Sequence, residues 1–249
     1  MLPARPKRNE VPGRRPKHAA VLFLEVAQER FLGLRIRLRR EEPLHRDRDA
    51  VRAGFYPPGG GEARAEVQPW TRPARLLLER RGELVAIQGV AGAARLPGVA
   101  ERLGAAARER LWEARRLEST WEIVEMPAPS KGCFVLIEAV FEEGRAAFSL
   151  LGERRVRAEV LGDRVARQVL KFLDADEGAV DPHLADQLVV PLALSGGGGR
   201  VTTTEVTNHL ETVADVVSRF GIPARTWGRR GGAGGVEVGE LVDRPGTGR

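Results

Sequence analysis

Cysteine is almost absent from this chain: 249 residues contain one, Cys133. No internal disulfide can form, which excludes disulfide-stapled secreted scaffolds and suits a reducing cytoplasm. The context of Cys133, GCFVLIEAVF, is an apolar strand-like run, so an inert buried thiol is expected there rather than a nucleophile. Long apolar runs are missing too. None approaches the ~18 residues of a spanning helix. AAVLFLEVA near the N-terminus is short, runs into charge and lacks a small-residue cleavage pattern, so neither a membrane partner nor a signal peptide is expected. Aromatics make up only 5%. Trp70, Trp112, Trp121 and Trp227 are scattered, which predicts core positions rather than a base-stacking platform. No Cys/His set has zinc spacing, and no Ser-His-Asp set stands out. The glycine run 196–199 lacks the Lys-Ser/Thr ending of a P-loop.

Lysine is scarce as well. Only Lys7, Lys17, Lys131 and Lys171 accompany a large excess of arginine, and the net charge is +6 with pI ≈ 10.3. The planar guanidinium matches phosphate oxygens in a fork, so a polyanionic partner is expected. GC-rich coding would raise Arg, Ala, Gly and Pro together and accounts for the same excess. At 42% hydrophobic residues the chain can build one large core or two small ones.

Residues 1–18 are basic and proline-rich and read as a disordered arm, and 19–50 carry too much charge for a well-buried element. From residue 51 the pattern becomes regular. GFYPPGGG (54–61) reads as a rigid turn. Strands are predicted over 83–91, 119–126, 133–141, 146–151, 200–206 and 222–227. Helices are predicted over 97–116, 155–173, 183–194 and 209–220. Their apolar stripes are Val99, Leu103, Ala107 and Leu111; Val156, Val160, Val165, Val169 and Leu173; and Leu210, Val213, Val217 and Phe220. Pro191 is expected to end or kink the third helix. Residues 228–249 read as a frayed Gly/Arg-rich tail. Alternating strands and helices indicate an α/β or α+β architecture.

Three stretches carry candidate chemistry. His209 follows a hydroxyl-rich strand and opens a helix that Thr207 or Asn208 can cap. A helix N-terminus attracts anions and disfavours imidazolium, and neutral imidazole attacks phosphorus competently. A surface or capping histidine is the plain alternative. In DPHLADQLVVPLALSGGGG (181–199), His183 and Gln187 share a helix face beside Asp186. A ring, a carboxylate and an amide together suit a purine nucleotide or a metal; they equally suit a solvated helix face. The turn GFYPPGGG is either a plain turn or the lining of a nucleotide cleft.

Together these stretches resemble the RNA 3′-terminal phosphate cyclase family over roughly residues 51–227. GFYPPGGG is similar to its glycine signature, residues 152–199 to its long C-terminal block, and TTTEVTNHLETVADVVSRF (202–220) to the segment that carries its nucleophilic histidine. The resemblance implies a ligase-type enzyme that converts an RNA 3′-phosphate to a 2′,3′-cyclic phosphate through a histidyl-AMP intermediate, with ATP and a divalent metal, Mg or Mn. It implies that His209 is the nucleophile and that His183, Leu184, Ala185, Asp186 and Gln187 bind ATP. No metal ligand is assigned. RNA with a 3′-phosphate end would be the partner.

The implied fold is α+β, with repeated units of two helices on a four-stranded sheet. Residues 51–78 and 153–227 would form the main domain, and 79–152 a small inserted α/β domain. The chain departs from the pattern at Ala53, Glu62, Ala63 and Val213. It also lacks a glycine-rich EGGGQ-like segment followed by spaced arginines, and residues 1–50 match no family segment, so N-terminal repeats are expected to be missing. That departure leaves two alternatives: a non-catalytic RNA-binding relative, or an inactive truncated copy.

Overall fold

The computed structural model of the protein describes residues 54, 55, 59 and 75–240, with 176 excepted. The expectations for residues 1–50, for Trp70 and for 241–249 lie outside the described residues. In chain order the elements are β1 (Leu76–Leu78), β2 (Leu84–Ala94), α1 (Val99–Arg115), β3 (Thr120–Glu125), β4 (Gly132–Phe141), β5 (Arg145–Leu151), α2 (Ala158–Asp174), α3 (Pro182–Ser195), β6 (Gly199–Thr203), α4 (Asn208–Arg219), β7 (Ala224–Gly228) and β8 (Gly234–Val238).

These elements form two four-stranded sheets, an α+β architecture. The first has the order β1-β6-β8-β7 and the second β3-β2-β4-β5. Each sheet has one parallel pair at an edge, β1 with β6 or β2 with β3, and antiparallel pairs elsewhere. Two helices cover each sheet: α3 and α4 the first, α1 and α2 the second. Among the described residues no helix is long and apolar enough to cross a membrane.

The core under α3 and α4 is built from Leu188, Val189, Leu192, Leu210, Ala214 and Val217 against Val201, Val236 and Val238. The core of the second unit joins Leu103, Ala107 and Leu111 of α1 to Leu161, Val165 and Val169 of α2 over Val135 and Ile137. A domain boundary at 152/153 would assign α2 to the first sheet. In the structure α2 packs on α1, because its Leu161, Val165 and Val169 share the α1 core. Cys133 is buried in that core as well, and burial pushes its thiol up, as an inert thiol requires.

Several local expectations change. Val160 is 39% exposed, because Leu161 takes the buried position of the α2 stripe. Phe220 is 82% exposed: the helix stops at Arg219, so the stripe drawn through it ran one residue too far. Pro191 does not end its helix. Leu188, Val189, Leu192 and Ala193 are buried on both sides of it and hold α3 together to Ser195. The proposed frayed tail contains β8, an interior strand of the first sheet with Val236 and Val238 buried. Its glycine-rich surroundings hid a short alternation. Of the described tryptophans none is fully buried: Trp112 is 45% exposed with Arg116 over its ring, Trp227 is half-buried, and the half-buried Trp121 packs against the second core.

Gly162 sets how closely α1 and α2 approach. A Cβ there would collide with the backbone oxygen of Leu103 and crowd Ala106. Gly162→Ala is expected to destabilise the protein by about 1–3 kcal/mol through overpacking. Val160→Ala, on the exposed side of the same helix, should stay within about 0.5 kcal/mol of the parent. Thermal unfolding of the two variants measures the difference.

Candidate functional site at two helix N-termini

The sequence DPH folds as a helix start. Asp181 is the N-cap of α3, and its carboxylate oxygen Oδ1 accepts from the backbone N–H of His183 at 2.9 Å and of Leu184 at 3.1 Å. Pro182 follows at the first helical position, where its fixed φ suits the helix and its missing N–H costs nothing. At the start of α4, Thr207 plays the same part: its Oγ1 accepts from the N–H of Leu210 at 3.1 Å. Both capping residues line one cleft of about 590 Å³, within the usual range for a small-molecule site.

His183, Leu184 and Gln187 line this cleft with Thr204 and Glu205. The opposite wall comes from the second unit: Arg145 and Phe148 of β5, with Gln168, Lys171 and Phe172 of α2. The end of α2 is held in place by Arg81, whose guanidinium donates to the carbonyls of Phe172 and Ala175 and lies over the Phe141 and Phe172 rings. Lys171 Nζ reaches across to Glu205 Oε2 at 2.9 Å.

The five residues of the His183–Gln187 segment therefore separate into different surroundings. His183 and Gln187 are exposed at the cleft, and Leu184 is half-buried beside them. Ala185 is fully buried in the core, and its N–H donates to the Asp181 carbonyl, so it presents neither side chain nor amide to a ligand. Asp186 is half-buried and does not line the cleft. Burial raises its carboxyl above the usual range. Positive charge on His183, and then on His209, acts to lower it, and Asp181 adds to the rise. Asp186 thus lies within electrostatic reach of both imidazoles. His209 itself is exposed in the first turn of α4, two residues beyond Thr207, and does not form part of the cleft wall.

The glycine turn behaves differently. Its Phe55 is pinned to the second unit: its N–H donates to Ser130 Oγ at 3.1 Å, and Ser130 Oγ donates back to its carbonyl at 2.9 Å. Gly59 closes the turn onto the Phe55 carbonyl at 2.9 Å with φ of 65°, a conformation glycine adopts without strain. None of the described residues of this turn lines the cleft. Among the described residues there is also no group of three or more His, Cys, Asp or Glu side chains that could hold a metal ion.

Asp181 and the second-unit wall were not singled out from sequence. Asp-Pro before a helix is a legible capping signal and could have revealed Asp181. Nothing in the local sequence marks Gln168 or Lys171, which reach the cleft only through the packing of α2.

The model of the RNA 3′-terminal phosphate cyclase family matches residues 36–223, and the chain belongs to that family. The match begins ahead of residue 51, so residues 36–50, expected to match no family segment, lie inside it. The chain is similar to the RNA 3′-terminal phosphate cyclase of Halobacterium salinarum, 37% identical over 193 residues, which are 76% of this chain and 53% of that protein. It is similar to the enzyme of the same name from Pyrobaculum aerophilum, 36% identical over 175 residues, covering 69% of this chain and 50% of that protein. A third, from Archaeoglobus fulgidus, is 34% identical over 191 residues, covering 76% and 56%. The chain spans about half the length of the curated relatives it matches.

Burial raises the Asp181 carboxyl above its usual range, against the hydrogen bonds from Leu184 and His183 and the charge of His183. Between the ordinary aspartate value of about 3.9 and the raised one, the folded chain binds more protons than the unfolded chain. The stability linked to this group is therefore full below that window and lost as pH rises through it. Asp181→Asn keeps an oxygen acceptor for both amides and removes the ionisation, so it should flatten the fall in stability above about pH 4. Asp181→Ala removes the cap together with the ionisation, so it should flatten the fall in the same way and lie about 1 kcal/mol below Asp181→Asn throughout. Urea unfolding across the pH range separates the two effects.

Proposed function

We propose that the protein works as an ATP-dependent RNA 3′-phosphate cyclase, with His209 as nucleophile and the exposed face of α3 as nucleotide wall. What carries this reading is the placement of His209: it stands in the first turn of α4, two residues beyond Thr207, which lines one cleft with His183 and Gln187, and it falls within the segment matched to the cyclase family. The three relatives described above are all named RNA 3′-terminal phosphate cyclase.

The two helix ends divide the labour. The first-turn amides of His183 and Leu184 are committed to Asp181, so this end suits the uncharged part of a nucleotide. The His183 ring would stack on the base, and Gln187 would hydrogen-bond to its edge or to the ribose. The α4 end favours the phosphates through its dipole. An imidazole nitrogen of His209 would attack the α-phosphorus, forming an N–P bond while the bond to the β-phosphoryl oxygen breaks and pyrophosphate leaves. An oxygen of the RNA 3′-phosphate would then take the AMP from His209. The vicinal 2′-OH would attack the activated phosphorus, closing the cyclic phosphate and releasing AMP. A divalent cation would neutralise phosphate charge in such a transfer. A cytoplasmic setting goes with this reading.

Incubation of the full chain with ATP labelled at the α-phosphorus and Mg or Mn is the direct test. The protein should retain label through denaturation in detergent and mild alkali and lose it in acid, as a phosphoramidate does. His209→Ala should reduce labelling at least a hundredfold, about the contribution of one essential catalytic group. A wild-type protein that takes up no label overturns the reading.

A further inference from the structure

The exposed face of α2 is a row of cations that ends in the cleft. Arg164, Arg167, Gln168 and Lys171 follow one another at helical spacing, and all four are exposed. One acid, the half-buried Asp163, lies beside the row and is shared between Arg167 and Arg110 of α1. Its cationic side chains are 50%, 57% and 80% exposed in order along the helix. Gln168 and Lys171 line the cleft wall that faces His183 and Gln187. Arg164 is one turn before Gln168, so the row leads outward from the cleft over about 10 Å at 1.5 Å per residue.

The counter-charges decide which of these cations a phosphate can reach. Arg164 faces Glu153 at 3.4 Å, Arg167 faces Asp163 at 2.7 Å, and Lys171 faces Glu205 at 2.9 Å. The cation of each pair is at least half exposed and its acid is about a third exposed or more, and such pairs contribute little, so a phosphate oxygen can replace the carboxylate. Arg145 in the same cleft is different: its partner Glu138 is 2% exposed, and releasing it would leave a buried carboxylate alone. Arg145 is therefore excluded from the exchange.

We infer that α2 is the docking ridge for the RNA strand: Arg164, Arg167 and Lys171 bind successive backbone phosphates of single-stranded RNA and deliver its 3′ end to the cleft. A single row of donors matches one backbone, and a cleft of about 590 Å³ admits a terminal nucleotide rather than a duplex. When the strand arrives, Lys171 exchanges Glu205 for phosphate. Glu205 precedes the Thr207 cap of the helix that bears His209, so RNA docking loosens a contact next to the proposed nucleophile. The ridge rests on the cyclase reading for the identity of its partner.

The test is binding of a short single-stranded oligoribonucleotide with a 3′-phosphate to the full chain, followed by fluorescence anisotropy over a range of salt. Arg164→Gln with Arg167→Gln should weaken binding and lower the slope of log K against log salt by about 1.4, since each lost single-strand contact removes about 0.7. Adding Lys171→Gln should lower it by about 0.7 more. Arg219→Gln with Arg225→Gln, exposed cations of the first unit, should leave the slope unchanged. Unaltered melting temperatures confirm that all variants fold. Equal slopes for wild type and α2 variants, an equal loss in the first-unit pair, or equal affinity for duplex RNA would each overturn the ridge. Self-labelling by ATP without RNA tests the cyclase reading separately. An unlabelled wild type whose RNA affinity still depends on α2 sinks that reading and leaves the ridge standing as a binding surface.

Discussion

The candidate site depends on one shared core. Leu188 and Leu192 of α3 and Leu210 and Val217 of α4 bury against the same strands, Val201 in β6 and Val236 and Val238 in β8. Fully burying such a side chain contributes about 1.5–3 kcal/mol relative to leaving it exposed. That common burial brings the starts of two helices, separated in sequence by β6, to one cleft. Without it, His183 and His209 would be two unrelated surface histidines.

The two helix ends are not equivalent, and the difference is electrostatic. The α3 end is occupied by its own buried carboxylate: Asp181 takes the first-turn amides and brings a negative charge with it. The α4 end is capped by the neutral Thr207 hydroxyl. The acids at the α4 end are paired with cations, Glu211 with Arg230 and Glu205 with Lys171. Under the proposed function, this difference in capping assigns the phosphates of a nucleotide to the His209 end and the base to the His183 end.

The second unit completes the cleft from outside the first core. Its α2 is fixed along its length by α1, where Gly162 admits the Leu103 backbone, and at its end by the Arg81 guanidinium. A helix so held can present side chains at a defined height above the α3 and α4 starts. Two surfaces of different origin thus face each other across the cleft, and Lys171 to Glu205 is a contact between them.

Much of this was legible in the sequence, because the signals are local. The 3.6-residue stripe of Leu103, Ala107 and Leu111 and the continuous apolar run in GCFVLIEAVF each arise from which residues can face a core. The order of the three motifs was enough to indicate the cyclase family; residue type and spacing marked His183, Gln187 and His209 as candidates, with a solvated helix face and a capping histidine still open. Tertiary packing decided the rest. It assigned α2 to the second sheet, kept α3 intact through Pro191, made a strand of Val236 and Val238, buried Ala185 away from any ligand and brought Lys171 to the cleft. Each of these outcomes depends on which distant surface a segment meets. Periodicity shows that a face will be buried; only the partner surface determines where that burial puts the residues on the opposite face.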